Sequence, residues 1–119
     1  MKTSLIILFV VLMPFLVLAQ NTEYYIRQAE AYQREAEYYS KQAEAYKRDA
    51  DYYNKQAEEY LRDADYYARK GDTSKSRVRQ DWAKEAINKA RYREDRAKEA
   101  SDKASVRLQW AVEALRKAR

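Results

Sequence analysis

The chemistry that this chain offers is concentrated in its tyrosines. The 119 residues include 12 tyrosines, and 11 of them lie between Tyr24 and Tyr67. Four recur every 14 residues, at Tyr24, Tyr38, Tyr52 and Tyr66. A phenol combines an apolar ring with a polar hydroxyl, so exposed copies suit lateral contact, surface adhesion or oxidative cross-linking. The alternative is that repeat duplication copied these four residues without giving them a function.

Charged side chains follow the same 14-residue interval. Three arginines of the second half occupy positions that face a predicted helix seam, where a guanidinium is costly unless it has a partner. Carboxylates of the first half have the matching spacing. We therefore predict three seam ion pairs, namely Arg79–Asp63, Arg93–Asp49 and Arg107–Glu35.

The sequence lacks two of the residue types that catalysis and metal binding most often use. The chain contains no Cys and no His, which removes thiolates and imidazoles as nucleophiles, bases and ligands. Carboxylates two residues apart, such as Asp49 and Asp51, do not share a helix face. The sequence predicts no enzymatic activity, no catalytic residue, no cofactor and no metal site.

A heptad repeat that begins at Glu23 must position these groups. Tyr occupies the third place and Ala the seventh, which is the a/d spacing of a coiled coil. The first place is Glu or Asp and the fifth is Arg or Lys, so pairs such as Glu23–Arg27 support a helix. Neither Gly nor Pro interrupts residues 20–70, and one long helix is predicted there.

A second heptad helix follows a predicted turn at residues 71–74. Gly71 is the only glycine and suits the left-handed conformation that often ends a helix. The polar residues after it can cap the next helix. Alanines then recur every seven residues from Ala83 over a basic helix predicted at residues 75–119. The predicted fold class is all-α, with two long antiparallel helices that form a coiled-coil hairpin.

The seam of this hairpin combines large residues with small ones, as close packing requires. The predicted seam pairs rings of the first helix with methyl groups of the second. Its residues are Tyr25, Tyr32, Tyr39, Tyr46, Tyr53 and Tyr60, with Ala83, Ala90, Ala97, Ala104 and Ala111. Residues 22–72 carry 9 basic and 12 acidic side chains, and residues 73–119 carry 14 and 7, which favours antiparallel docking. The partner helix belongs either to the same chain or to a swapped dimer.

The first 19 residues are typical of a secretory signal peptide. Lys2 precedes an apolar run from Leu5 to Ala19, and small or branched residues lead to a cleavage site after Ala19. This run contains Pro14 and is short for a membrane span. The sequence therefore predicts a secreted, extracellular protein, and retention of the leader as an anchor is the alternative.

In kind, the mature chain resembles secreted, tyrosine-rich coiled-coil structural proteins of extracellular materials, of the fibre, byssal or shell-matrix type. The resemblance rests on the [ED]-x-Y-x-[RK]-x-A heptad of residues 23–70 together with the leader. It implies a role in an assembled material, and it assigns no functional residue.

These observations predict a non-enzymatic structural protein whose helical rods self-assemble into extracellular matrix, fibre, adhesive or shell material. The expected partner is a further copy of the chain, in a homo-oligomer or a swapped dimer. Other matrix proteins are the next candidates for a partner. The alternative is a soluble amphipathic hairpin that binds lipid or a partner protein. Nucleic acid is not an expected partner, because acidic residues interleave with the basic ones and the leader directs the chain elsewhere.

Overall fold

The computed structural model contains two α-helices, α1 (Lys2–Arg69) and α2 (Thr73–Ala118). It describes the backbone of residues 2–119 and the side chains of residues 21–119. The predicted all-α class and the two-helix organisation are confirmed, and no strand occurs in the described backbone. The predicted signal peptide, residues 1–19, lies outside the part whose side chains are described.

The turn between the helices is built by Gly71 and Asp72. Gly71 has a φ of +82°, the left-handed conformation that a glycine adopts at lowest cost. The Asp72 amide donates to the Tyr67 carbonyl at 2.9 Å, and the Gly71 amide donates to the Ala68 carbonyl at 3.1 Å. This is the Schellman pattern of a helix C-terminus. Asp72 also caps α2, because its Oδ1 accepts from the Lys75 amide at 3.1 Å.

Replacing Gly71 by Ala is expected to lower the free energy of unfolding by about 1 kcal/mol, the cost of a left-handed L-residue. An added Cβ would meet nothing within 4 Å, so the penalty is conformational rather than steric. Gly71→Asn should cost less, because Asn tolerates this conformation better. Urea denaturation of the three proteins measures the order, and a cost for Asn above that for Ala would contradict it.

The chain divides into two compact units, one of which comprises Tyr39–Lys103 and the turn. Its two helical segments run antiparallel, since Ser76 beside the turn donates from Oγ to the Ala64 carbonyl at 2.8 Å, whereas Arg93 approaches Asp49 much farther from the turn. The buried apolar residues of this unit are all alanines. They are Ala43, Ala50, Ala57, Ala64, Ala83, Ala86, Ala90, Ala97 and Ala100.

The other unit comprises Met1–Tyr38 and Ala104–Arg119. Thr22 Oγ1 donates to the Ala118 carbonyl at 3.1 Å, and Arg107 bonds Glu35, so these segments are also antiparallel. Alanines again form the buried apolar core among the described residues. They are Ala29, Ala36, Ala104, Ala111 and Ala114, with Tyr32 packed against Ala29, Ala111 and Ala114.

Methyl-lined seams allow close helix approach within each unit, and long side chains then cover the edges. This packing is consistent with the predicted coiled-coil hairpin. Within the described part of the chain, no helical stretch has the length and hydropathy that a bilayer crossing requires.

Candidate functional site

Four tyrosines of α1 form an exposed ladder, defined here as Tyr24, Tyr38, Tyr52 and Tyr66. Each has more than half of its surface exposed, from 52% to 59%. They are 14 residues apart and so point from the same side of the helix at intervals of about 21 Å within each unit. The arrangement presents phenols to solvent at a regular spacing.

Local contacts fix the orientation of the ladder side chains. Tyr24 contacts the neighbouring Tyr25 ring edge-on at a centroid distance of 5.3 Å, and Tyr52 contacts Tyr53 at 5.4 Å. The Tyr52 hydroxyl accepts a hydrogen bond from Gln56 at 2.9 Å. Since Gln56 is one turn farther along the same helix, the repeat itself supplies the partner that holds this phenol outward.

The seam tyrosines are half-buried, in contrast to the fully buried alanines with which they were predicted to pair. Lysines of α2 extend over alternate rings of this set. The ammonium-to-centroid distances are 5.9 Å for Lys117–Tyr25, 5.6 Å for Lys103–Tyr39, 5.7 Å for Lys89–Tyr53 and 5.5 Å for Lys75–Tyr67. These cation–π contacts help to cover the seam edge. These contacts were not predicted from the sequence, although the lysines share the 14-residue spacing.

Two further seam tyrosines contact tryptophans rather than lysines. Tyr60 meets Trp82 edge-on at 5.6 Å, and Tyr32 meets Trp110 at 5.5 Å. The sequence analysis placed alanines opposite these rings and did not assign the tryptophans to the seam. The signal that could have placed them is the match between two spacings of 28 residues, Trp82 to Trp110 and Tyr32 to Tyr60.

The two members of each predicted seam ion pair lie close together in the structure, but the distance differs from pair to pair. Arg107 Nε donates to Glu35 Oε2 at 2.6 Å. Arg93 Nε lies 4.0 Å from Asp49 Oδ2, and Arg79 Nε lies 3.9 Å from Asp63 Oδ2. The Nε atoms of Arg79 and Arg93 are buried and make no hydrogen bond. Aspartate is one methylene shorter than glutamate, which explains why only the Glu35 carboxylate reaches its arginine.

Lengthening the short carboxylates is therefore expected to stabilise the protein. Asp49→Glu and Asp63→Glu should each raise the free energy of unfolding by about 0.5–1 kcal/mol, because a buried Nε gains an acceptor. The carboxylates are 58% exposed, so solvent screening keeps the gain small. Asp51→Glu is the matched control for helix propensity, since Asp51 is exposed on the same helix. Equal gains at Asp49 and Asp51 in urea denaturation would contradict the proposed bond.

The surroundings of Arg96 favour the charged form of its side chain. A hydrogen bond to Tyr92, followed by contact with Glu99, raises the pKa of the Arg96 guanidinium above its ordinary value, so its charge is constant at physiological pH. Among the residues described with side chains, no three His, Cys, Asp or Glu cluster as a metal would require.

Comparisons with protein families, with curated proteins and with solved structures find no match. Exposed phenols can pack against another surface, donate or accept hydrogen bonds, and give up a hydrogen atom to a one-electron oxidant.

Proposed function

We propose that this chain is a secreted, non-enzymatic structural protein that self-associates in an extracellular material through the exposed ladder. The observation that carries the proposal is the exposure of Tyr24, Tyr38, Tyr52 and Tyr66, each at 52% or more. Large rings are usually buried, since each covers 150–250 Å² of mostly apolar surface. A regular series of exposed rings on a helix whose seam is already filled supports a contact outside the helix pair.

The same phenols supply a covalent step when a peroxidase and hydrogen peroxide are present. Each of two phenols loses one hydrogen atom, the two ring radicals join through a carbon–carbon bond, and the peroxide is reduced to two water molecules. The product is a dityrosine between chains. The oxidant comes from outside the chain, which fits a protein that is substrate and scaffold rather than enzyme.

Replacing all four ladder tyrosines by Phe is expected to leave the melting temperature nearly unchanged, because surface substitutions usually alter stability by less than about 0.5 kcal/mol. The same variant should lose most dityrosine formation with peroxidase and peroxide, measured by fluorescence and peptide mapping, and the remainder should map to Tyr92, which is 51% exposed. Sedimentation of the mature protein at high concentration should show self-association that this variant weakens.

The matched control removes the same number of hydroxyls from the half-buried tyrosines next to the ladder. These are Tyr25, Tyr39, Tyr53 and Tyr67. Their replacement by Phe should leave cross-linking largely intact. A strictly monomeric wild-type protein, or equal loss of cross-linking in both variants, would contradict the proposal.

One observation favours a second candidate function, binding to a lipid surface. Leu108, Val112 and Leu115 share a face of α2 and are 50%, 55% and 42% exposed, next to the basic last turn that contains Arg116 and Lys117. An apolar face with flanking cations suits anionic membrane surfaces. Co-sedimentation with vesicles of phosphatidylcholine and phosphatidylserine tests it. Binding that Leu108→Ser with Val112→Ser abolishes would support this function over self-association through the ladder.

A further inference from the structure

Two cavities of the same construction lie one in each compact unit. The cavity of the Tyr39–Lys103 unit has a volume of about 250 Å³, and its counterpart has a volume of about 230 Å³. The first is lined by Gln56, Tyr60, Trp82, Glu85, Ala86 and Lys89. The second is lined by Gln28, Tyr32, Trp110, Glu113, Ala114 and Lys117. The same six residue types recur at an offset of 28 positions.

Each cavity has a tryptophan as its largest wall. Trp82 is 43% exposed, and Tyr60 holds its ring edge-on at 5.6 Å. The Arg79 guanidinium lies 4.2 Å from the Trp82 centroid but does not line the cavity. Trp110 has the same surroundings, with Arg107 at 4.3 Å. An arginine and a tyrosine thus fix each indole while leaving it exposed to a ligand.

The rim of each cavity carries donors and acceptors of both charge signs. In the first cavity, Lys89 donates, Glu85 accepts, and the Gln56 amide does both. Gln56 already donates one hydrogen to Tyr52, and its carbonyl is an acceptor. Because Lys89 and Glu85 lie on the same rim, neither sign of ligand charge is favoured, and a neutral ligand with several hydroxyl groups can use the lysine, the carboxylate and the amide together.

The size of the cavities restricts the ligand further. Pockets for drug-sized molecules measure about 300–1,000 Å³, and these cavities are smaller and open to solvent, so each can contact one ring of a longer ligand. A saturated six-membered ring whose axial C–H bonds project from one face packs well on the negative face of an indole. A phenol can also pack on an indole, but its one hydroxyl would leave most of the polar rim without a partner.

The residue pattern of the two cavities occurs a third time in the chain, at positions midway between them in sequence. Its residues are Gln42, Tyr46, Arg96, Glu99, Ala100 and Lys103, with arginine in place of tryptophan. Arg96 Nη1 donates to Glu99 Oε2 at 3.0 Å. The rim carboxylate is thereby occupied and the aromatic wall is missing, so this third position lacks what the other two offer.

We propose that each of the two tryptophan cavities binds one pyranose ring of a neutral polysaccharide, stacked on the indole and hydrogen-bonded by the Gln, Glu and Lys of the rim. This goes beyond self-association through the exposed ladder and does not depend on it. It makes the protein a divalent binder of the saccharide component of an extracellular material.

The test uses the tryptophans as reporters, because the chain contains only Trp82 and Trp110. The mature protein is titrated with triacetylchitotriose, cellotetraose and xylotetraose, and indole fluorescence and binding heat are followed. We expect at least one of the three to give saturable binding with two sites per chain. In Trp82→Phe, the remaining fluorescence change should report binding at the Trp110 cavity alone. In Trp110→Phe, it should report binding at the Trp82 cavity alone.

Three further variants make the interpretation specific. Trp82→Ala with Trp110→Ala should weaken binding by about tenfold or more, since one wall of each cavity is lost. Glu85→Gln with Glu113→Gln keeps the shape and should weaken binding less. Arg96→Trp should add a third site, because it supplies the indole and releases Glu99. Circular dichroism of each variant confirms that the helices are retained.

Several outcomes would overturn the proposal. Absence of binding by all three saccharides at 10 mM would do so, as would an affinity that is unchanged by loss of both tryptophans. Binding of p-cresol with no binding of the saccharides would instead assign the cavities to a tyrosine side chain. Sedimentation of the same samples keeps the tests apart, because self-association can persist when saccharide binding is absent.

Discussion

Replacing Ala29 by Leu is expected to lower the free energy of unfolding by about 1–3 kcal/mol. Ala29 is 1% exposed and packs with Ala111 and Ala114 beneath the Tyr32 ring. Three added carbons have no space where two helices approach through methyl groups, so the helices must separate or the ring must leave its site. Either change loses close packing, which protein interiors keep near the density of organic crystals.

The matched control is two residues away on the same helix. Ala31 is exposed, so Ala31→Leu keeps the chemistry of the substitution without the crowding. Leu and Ala have similar helix propensities, and this variant should differ from wild type by less than about 0.5 kcal/mol. Urea denaturation followed by circular dichroism measures both. Equal effects at the two positions would mean that the alanine seam does not hold the helices together.

The helices could be predicted because the heptad signal is repeated and consistent along the chain. Gly71 is a single residue in a stretch otherwise without helix breakers, and the polar residues after it are good caps, so the turn was also predictable. The seam alanines could be placed because residues that recur every seven positions lie along one stripe of a helix. The heptad periodicity of the sequence was therefore enough to predict most of the fold.

The side-chain contacts at the seam edge were less predictable. Trp82 and Lys89 are long residues beside the seam, and each can reach several neighbours by changing rotamers. The buried Ser76 was missed as well, because its hydroxyl is satisfied by the Ala64 carbonyl across the helix pair. Nothing in the sequence around Ser76 indicates that its hydroxyl bonds the Ala64 carbonyl. Spacing constrains which residues come near one another, whereas rotamers decide which atoms touch.

These edge contacts matter for function because an alanine seam is narrow. Two helices that meet through methyl groups bury little area, so tyrosine, tryptophan and lysine side chains must cover the flanks. The rings that do this are partly exposed and amphipathic, which is also the property that suits contact with other molecules. The two tryptophan cavities are therefore a consequence of this packing, repeated at an offset of 28 residues.

Reversing the charge of Arg107 is the second substitution with a large expected effect. Arg107→Glu should lower the free energy of unfolding by about 1–2 kcal/mol, because it removes a charge-assisted hydrogen bond and adds a like charge beside Glu35. The bond is 2.6 Å long, and the side chains of Arg107 and Glu35 are 22% and 49% exposed. Solvent around the half-exposed carboxylate screens part of the repulsion, which keeps the effect below that of a buried pair.

The exchange of both charges separates the ion pair from other consequences of losing Arg107. Glu35→Arg alone should also destabilise the protein, and Glu35→Arg combined with Arg107→Glu should recover part of the loss, because opposite charges again face each other. Full recovery is not expected, since Arg107 also stacks 4.3 Å from the Trp110 ring and the exchanged glutamate cannot. Urea denaturation of the four proteins gives the coupling energy of the double-mutant cycle. A coupling energy of zero would show that these residues do not pair across the helices, and the antiparallel register of this unit would have to be reassigned.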